Sequence, residues 1–233
     1  MLSHLLSVAL LGLSVVSHAQ TIYLAGDSTM ARGNTVTDGR SARSFTEEGR
    51  FTEIANLGKA GDYVIIEFGH NDGSAGAVDN GRQCAVGDSY DTTALVKAAN
   101  GTQILIHSWP YYIQNAIDLF KSKGMIPISS SQTPRNGWTN GAISAGPRFV
   151  GYAQLVAQRK GTNYIDHYAY VAQTYNRLGQ ATVNTHFPQD AVHTSATGAR
   201  VVAQSFVRGL LCNASPLKNF VNSVGQSVPD KCL

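Results

Sequence analysis

Charge is scarce in this chain, and that scarcity excludes several functions. Of the 233 residues only 14% are Asp, Glu, Lys or Arg, and the formal net charge is +3. Nucleic-acid binders carry dense basic clusters or stripes, and none occurs here. The mild positive balance suits a neutral or acidic substrate and selects neither. Internal repeats and low-complexity segments are also missing. With 43% hydrophobic residues, the chain is globular, of single-domain size, and long enough to bury a full core. Beyond the N-terminus no run is long and apolar enough to anchor in a bilayer.

Cysteine is nearly absent: three residues, an odd count. Cys212 and Cys232 bracket the C-terminal tail and are the natural pair, and closing that loop stabilises by roughly 3 kcal/mol in the chain-entropy picture. Cys84 is left over, either free or available to a second chain. Met1 to Ala19 lacks every Lys, Arg, Asp and Glu. Its apolar centre, Leu5 to Val16, is too short to span a membrane, and Ser17-His18-Ala19 ends it with small residues at the outer positions, as signal peptidase prefers. It departs from a signal peptide only at its start, where His4 stands in place of Lys or Arg. The expectation is a removed signal, residues 1–19, and one extracellular domain, residues 20–233. Asn100-Gly101-Thr102 and Asn213-Ala214-Ser215 match the N-glycosylation pattern.

What is present is an alternation of strand-like and helical patterns, which predicts an α/β fold with a parallel sheet. Strands are expected over Thr21–Ala25, Asp62–Phe68, Met125–Ser129 and Asn163–Ile165, the third weakened by Pro127. Helices are expected over Glu47–Leu57, Pro110–Lys123, Pro147–Lys160, Ala169–Leu178 and Ser195–Leu211. Gly69 to Ala99, rich in Gly and Asp, reads as a long surface loop. In parallel sheets, functional residues gather beyond the carboxyl ends of the strands. Ser28 follows the first strand, Asn71 the second, and Asp190 and His193 precede the last helix.

Ser28 therefore sits on the turn leaving a strand, in Gly26-Asp27-Ser28. A serine there needs a base to become a nucleophile at neutral pH. Asp190-x-x-His193 supplies one: His193 takes the Ser28 proton, and Asp190 fixes its tautomer and stabilises the imidazolium. Taken alone, Gly-Asp-Ser is also an ordinary turn and His193 an ordinary loop histidine. Asp166-His167 is a rival pair, ranked second because neighbours at a strand end point to opposite faces. Asn71 offers an NH2 to the oxyanion of a tetrahedral intermediate, or else forms a turn with Asp72-Gly73. Gly39 offers a backbone N–H to the same oxyanion. Arg40 and Arg43 face an acidic substrate, or are simply a solvated basic loop. Gly69-His70-Asn71-Asp72 reverses the middle pair of the Gly-Asn-His-Asp found in metallophosphatases, and no cluster at metal-ligand spacing accompanies it, so no metal is expected.

These blocks, in this order, resemble the SGNH or GDSL hydrolases and, within them, the fungal rhamnogalacturonan acetylesterases. The likeness covers most of the chain after the first 19 residues. It is carried by Tyr23–Met30, Gly39–Ser44, Gly61–Ile65, Glu67–Gly73, Ser130–Pro134 and His193–Ser195. The resemblance implies a flavodoxin-like three-layer α/β/α sandwich working without a cofactor. It implies Ser28 as nucleophile, His193 as base and Asp190 as orienting acid, with the Ser28 N–H, the Gly39 N–H and the Asn71 amide forming the oxyanion hole. The implied reaction is removal of acetyl groups from the rhamnogalacturonan of pectin through an acetyl-enzyme, by a secreted monomer that engages neither nucleic acid nor membrane. One departure stands out. The family places a helix and a second strand between nucleophile and oxyanion glycine, whereas Thr29 to Asp38 is ten residues, too short for both. An edge helix and strand are therefore expected to be missing, with the first strand left as a sheet edge. Two alternatives follow: an inactive or poorly folded remnant, such as a splice variant, that at most binds polysaccharide, and an esterase acting on another acetylated polysaccharide or a lipid ester.

Overall fold

A computed structural model describes residues 19–31, 39–73 and 76–233. The expected signal, residues 1–18 of it, and most of the shortened segment, residues 32–38, lie outside the described residues. Four parallel strands form the central sheet in the order β1 (Ile22–Gly26), β2 (Tyr63–Glu67), β5 (Ile126–Ser130), β8 (Asn163–Ile165). The register sets Leu24 beside Ile65 and Gly26 beside Glu67, so the two strand ends carrying Ser28 and Asn71 leave the sheet together. Pro127 is accommodated inside β5. The N–H of Ile126 points to β2, so the donor that Pro127 lacks would point toward β8, which pairs with β5 only from Ile128 onward.

β2 is buried on both faces, as a central parallel strand must be. Val64 and Ile66 pack on one side with α1 (Ala42–Glu47), α2 (Arg50–Leu57), α3 (Trp109–Ser122) and α4 (Arg148–Lys160). Tyr63 and Ile65 pack on the other with α7 (Ala196–Leu211) and a 3-10 turn at Pro216–Phe220. α5 (His167–Leu178) and α6 (Gln180–Asn184) join α7 around a smaller core of Val171, Tyr175, Val183 and Phe187. Helices thus cover both faces of a parallel sheet. A short helix, α8 (Ser223–Gln226), lies near the C-terminus, where Cys212 and Cys232 are joined in a disulfide.

Caps explain the helix starts. Ser108, Asp166 and Ser195 each accept a backbone N–H three residues ahead, and Pro147 opens α4. The helix expected over Glu47–Leu57 starts three residues later, as α2, and an unexpected helix, α1, precedes it; the two are separated at Gly49, whose φ of 73° only glycine adopts freely. The expected loop over Gly69–Ala99 is also not all loop. Its end forms β3 (Thr93–Lys97), which pairs antiparallel with β4 (Gln103–His107) outside the main sheet, and Val96 packs there with Ala85 and Ile106. β6 (Trp138–Thr139) and β7 (Ala142–Ile143) make a further small hairpin.

Strand β1 is the edge of the sheet. Ala25 is buried against the α1–α4 layer, but Ile22 and Leu24, on the α7 side, are 46% and 55% exposed. Among the described residues between β1 and α1 there is no helix or strand.

Candidate active site

The chain leaves β1 at Gly26 and turns at once. Asp27 is buried and acts as the hub of the turn: Oδ1 accepts the Thr29 N–H at 3.0 Å and the Thr29 hydroxyl at 2.8 Å, and Oδ2 accepts the His70 N–H at 3.3 Å. One carboxylate thereby joins the turn after β1 to the turn after β2. Ser28 is held at its crest, with its Oγ 2.8 Å from His193 Nε2. His193 Nδ1 lies 2.7 Å from Asp190 Oδ2. Asp190 Oδ1 accepts the backbone N–H groups of Val192 and His193, both at 2.7 Å. The backbone N–H of His193 contributes most to holding the Asp190 carboxyl at about 2, against desolvation; the His193 ring and the Val192 N–H add to it. Asp190 is thus an anion at neutral pH, so the ring proton sits on Nδ1 and the Nε2 lone pair faces the serine. Residues 165 positions apart in sequence meet as a serine, a histidine and an aspartate in hydrogen-bonded series.

Gly39 and Asn71 meet each other at the turn after β2, the turn that Asp27 joins to the one carrying Ser28. The Asn71 amide donates to the Arg40 carbonyl at 3.1 Å, and a Cβ on Gly39 would stand 2.8 Å from Asn71 Oδ1, so any larger residue there displaces the Asn71 amide. The loop from Gly39 into α1 is fastened from below. Asp72 is fully buried and its Oδ1 accepts the Ala42 N–H at 2.7 Å, while the Cys84 thiol points at the same oxygen from 3.5 Å. Burial pushes both the Asp72 carboxyl and the Cys84 thiol well above their ordinary ranges. Cys84 is buried and outside any disulfide.

Arg43 was expected to face substrate, and the structure places it inside. Its guanidinium is held by Asp79 at 2.6 Å and Glu47 at 2.7 Å, with 3% of the side chain exposed. Local sequence shows a basic loop, but the partner Asp79 arrives from 36 residues away. Arg40 remains at the surface, paired with Glu48 at 2.9 Å. The rival pair separates: Asp166 caps α5, and His167 is buried with Nδ1 2.8 Å from Glu67 Oε2 and Nε2 3.0 Å from the Val202 carbonyl, so neither ring nitrogen serves Ser28. Of the two glycosylation patterns, Asn100 is exposed at the β3–β4 turn, whereas the Asn213 amide is turned inward onto the Tyr164 carbonyl. Among the described residues no group of three His, Cys, Asp or Glu could hold a metal ion, and no helix is long and apolar enough to cross a membrane.

Sequence reasoning passed over the supporting shell. Besides Asp27 and Asp72, it missed the His70 ring, whose Nε2 lies 3.3 Å from Thr133 Oγ1 and Nδ1 3.4 Å from Gln132 Nε2. Burial holds that imidazole below its usual range, against the pull of Asp27. The signal was present in Gly69-His70-Asn71-Asp72, where Asn71 alone received a role and Asp72 was read only as a turn residue.

The model of the family described as GDSL-like Lipase/Acylhydrolase matches residues 25–206. The rhamnogalacturonan acetylesterase of Emericella nidulans is 47% identical over 233 positions, covering 91% of this chain and 94% of that protein. A probable rhamnogalacturonan acetylesterase of Bacillus subtilis, YesY, is 22% identical, covering 82% and 93%. Among solved structures, the YXIM protein of Bacillus subtilis superposes with a TM-score of 0.64 at 20% identity over 83% of this chain, which spans only 56% of that longer protein. The acetylxylan esterase Axe2 of Geobacillus stearothermophilus gives 0.53 at 13% identity, over 82% of this chain and 94% of that one. At such identities the structures speak for the fold alone: an α/β three-layer sandwich. By the family match and by its Emericella relative, the chain belongs to the GDSL-like lipase/acylhydrolase family of ester hydrolases.

Proposed function

We propose that this protein is a secreted acetylesterase that removes acetyl groups from rhamnogalacturonan. The hydrogen-bonded series Ser28–His193–Asp190 carries the reading, and the substrate follows the Emericella relative. Ser28 Oγ attacks the acetyl carbonyl as its proton passes to His193 Nε2. Charge on the carbonyl oxygen is met by the Ser28 and Gly39 N–H groups and by the Asn71 amide. Collapse of the tetrahedral intermediate releases the sugar hydroxyl, which takes the proton from His193, and leaves an acetyl ester on Ser28. Water, activated by the same histidine, hydrolyses that ester to acetate. Met1 to Ala19 serves as the export signal, and the Cys212–Cys232 disulfide suits an oxidising compartment.

Expressed in a eukaryotic secretion host, the protein should reach the medium starting at Gln20 and release acetate from acetylated rhamnogalacturonan, and Ser28→Ala should release none. Acetate release that survives the substitution refutes the mechanism. If the shortened segment has made the chain a non-catalytic remnant, a fluorophosphonate probe will leave Ser28 unlabelled.

A further inference from the structure

Arg40 and Arg43 were expected to meet an acidic substrate, and both are engaged by the protein's own carboxylates: Arg43 by Asp79 and Glu47, Arg40 by Glu48. Two other arginines, Arg135 and Arg148, are exposed and form no ion pair among the described residues. Arg135 lies in the connection from β5 to α4, and Arg148 is the first residue of α4. That connection leaves the carboxyl edge of the sheet, the edge on which Ser28 stands.

Arg135 is placed by its neighbours. Gln132 and Thr133 meet the His70 ring at 3.4 and 3.3 Å, and the Asn136 N–H donates at 2.8 Å to the carbonyl of Ala191, between Asp190 and His193. Thr133 and Pro134 line the same cleft as Ser28 and His193. Arg135 thus stands on the rim of the site, on a segment fastened to His70 at one end and to the loop of the catalytic histidine at the other. Arg148 lies over the Phe149 ring at 4.6 Å. A Cβ on Gly69 would stand 3.1 Å from Phe149 Cβ, which puts Arg148 next to the turn that carries Asn71. A cation in a first helical turn opposes the helix dipole, and no acid in that turn offsets it, so the charge does not serve the helix. Burial is the larger influence on both His70 and Asp72. The Arg135 charge nevertheless helps to hold the His70 imidazole down, and the Arg148 charge works against the rise of the Asp72 carboxyl. One cation therefore lies near the residue before Asn71 and another near the residue after it.

We infer that Arg135 and Arg148 select an acidic polymer, each taking the carboxylate of a uronate unit that flanks the acetylated sugar at Ser28. A guanidinium presents a planar fork of N–H donors that matches a carboxylate. A polyuronate carries carboxylates at intervals, so two arginines on one rim engage two units of it. The inference rests on the rhamnogalacturonan reading proposed above, and it names the residues that distinguish that polymer from a neutral acetylated one. Neither arginine touches the reacting atoms. They bind substrate and transition state alike, so their effect falls on KM and not on kcat.

The test measures acetate release from acetylated rhamnogalacturonan, and from the same polymer with its carboxylates methyl-esterified, by the native protein, Arg135→Gln, Arg148→Gln and the double variant. Hydrolysis of 4-nitrophenyl acetate is the reference. Each single substitution should raise KM for the acidic polymer by about three- to fivefold, as for an exposed ion pair, and the double substitution by about tenfold or more. Methyl esterification should cost the native protein the same factor and the double variant nothing further. A KM for the acidic polymer within about twofold of the native value in the double variant overturns the inference and leaves the acetylesterase reading standing. So does a loss of equal size on 4-nitrophenyl acetate, which would make the role of the arginines structural. A native protein that hydrolyses 4-nitrophenyl acetate but frees no acetate from the polymer overturns the substrate reading, and the inference with it.

Discussion

At the scale of single residues, the site depends on two side chains reaching one point and on one side chain being absent. Ser28 and His193 were readable because each stands at a boundary that sequence marks well: the end of an apolar strand, and the stretch before a capped helix. Gly39 was readable only through the ordered blocks, because a lone glycine has many uses. The structure adds a physical reason for it. A methyl group there would stand 2.8 Å from the Asn71 amide oxygen and 3.0 Å from its nitrogen. Asn71 is the softer partner, so it would give way, and two candidate oxyanion donors would be displaced by one carbon. Gly39→Ala should therefore lower kcat by about 10²–10³, the cost of losing one oxyanion donor, with little change in KM. Steady-state kinetics on an acetyl ester check this, and a kcat within threefold of the native value would remove Gly39 and Asn71 from the oxyanion hole. What stayed illegible at this scale is long-range pairing. Arg43 looked like a substrate contact because its partner Asp79 lies in a different segment, and Asp72 looked like a turn residue because its acceptor role exists only once α1 lies across it.

At the scale of elements, periodicity located the four sheet strands to within one or two residues, because buried parallel strands are continuous apolar runs. It failed where the signal is weak. Gly49 sets the start of α2 at Arg50 and leaves α1 as a separate six-residue helix, and the Thr93–Lys97 strand follows directly on a Gly- and Asp-rich stretch. The edge position of β1 was anticipated from the ten residues between Ser28 and Gly39, and its consequence is a liability. A parallel strand whose edge no described residue pairs with, and whose Ile22 and Leu24 are exposed, is a template for pairing with another chain. Ile22→Lys places a charge on that edge at a half-exposed position, far from Ser28. It should raise the concentration at which the protein begins to scatter light on warming, while stability shifts by only about 0.5 kcal/mol. Unchanged aggregation at equal stability would mean that the edge is not where association starts.

At the scale of the whole molecule, one buried pair ties the layers together beneath the active site. His167, at the start of α5, points Nδ1 at Glu67 Oε2 on β2, 2.8 Å away, and Nε2 at the Val202 carbonyl on α7, 3.0 Å away. Ser130 on β5 donates to the same Glu67 oxygen at 2.5 Å, and Phe206 of α7 meets the imidazole edge to face at 5.2 Å. Strand, strand, helix and helix converge on one ring, and both ring nitrogens face acceptors, which only a doubly protonated imidazolium satisfies. Desolvation works against that charge, but Glu67, first by its charge and then by its hydrogen bond, outweighs it, together with the Val202 carbonyl and Asp166, so the His167 pKa is raised above 6.5. A histidine whose folded pKa lies above its unfolded value contributes stability in full below the unfolded pKa, near 6.5, and loses it as pH rises through the folded value. Thermal midpoints should therefore fall as pH is raised from about 6 upward. His167→Gln retains a donor but cannot titrate, so it should be less stable than the native protein at pH 6 and show a flatter profile above it. Scanning calorimetry of both proteins across this range decides the matter. Parallel profiles would mean that the slope belongs to other histidines and that His167 is buried in its neutral form.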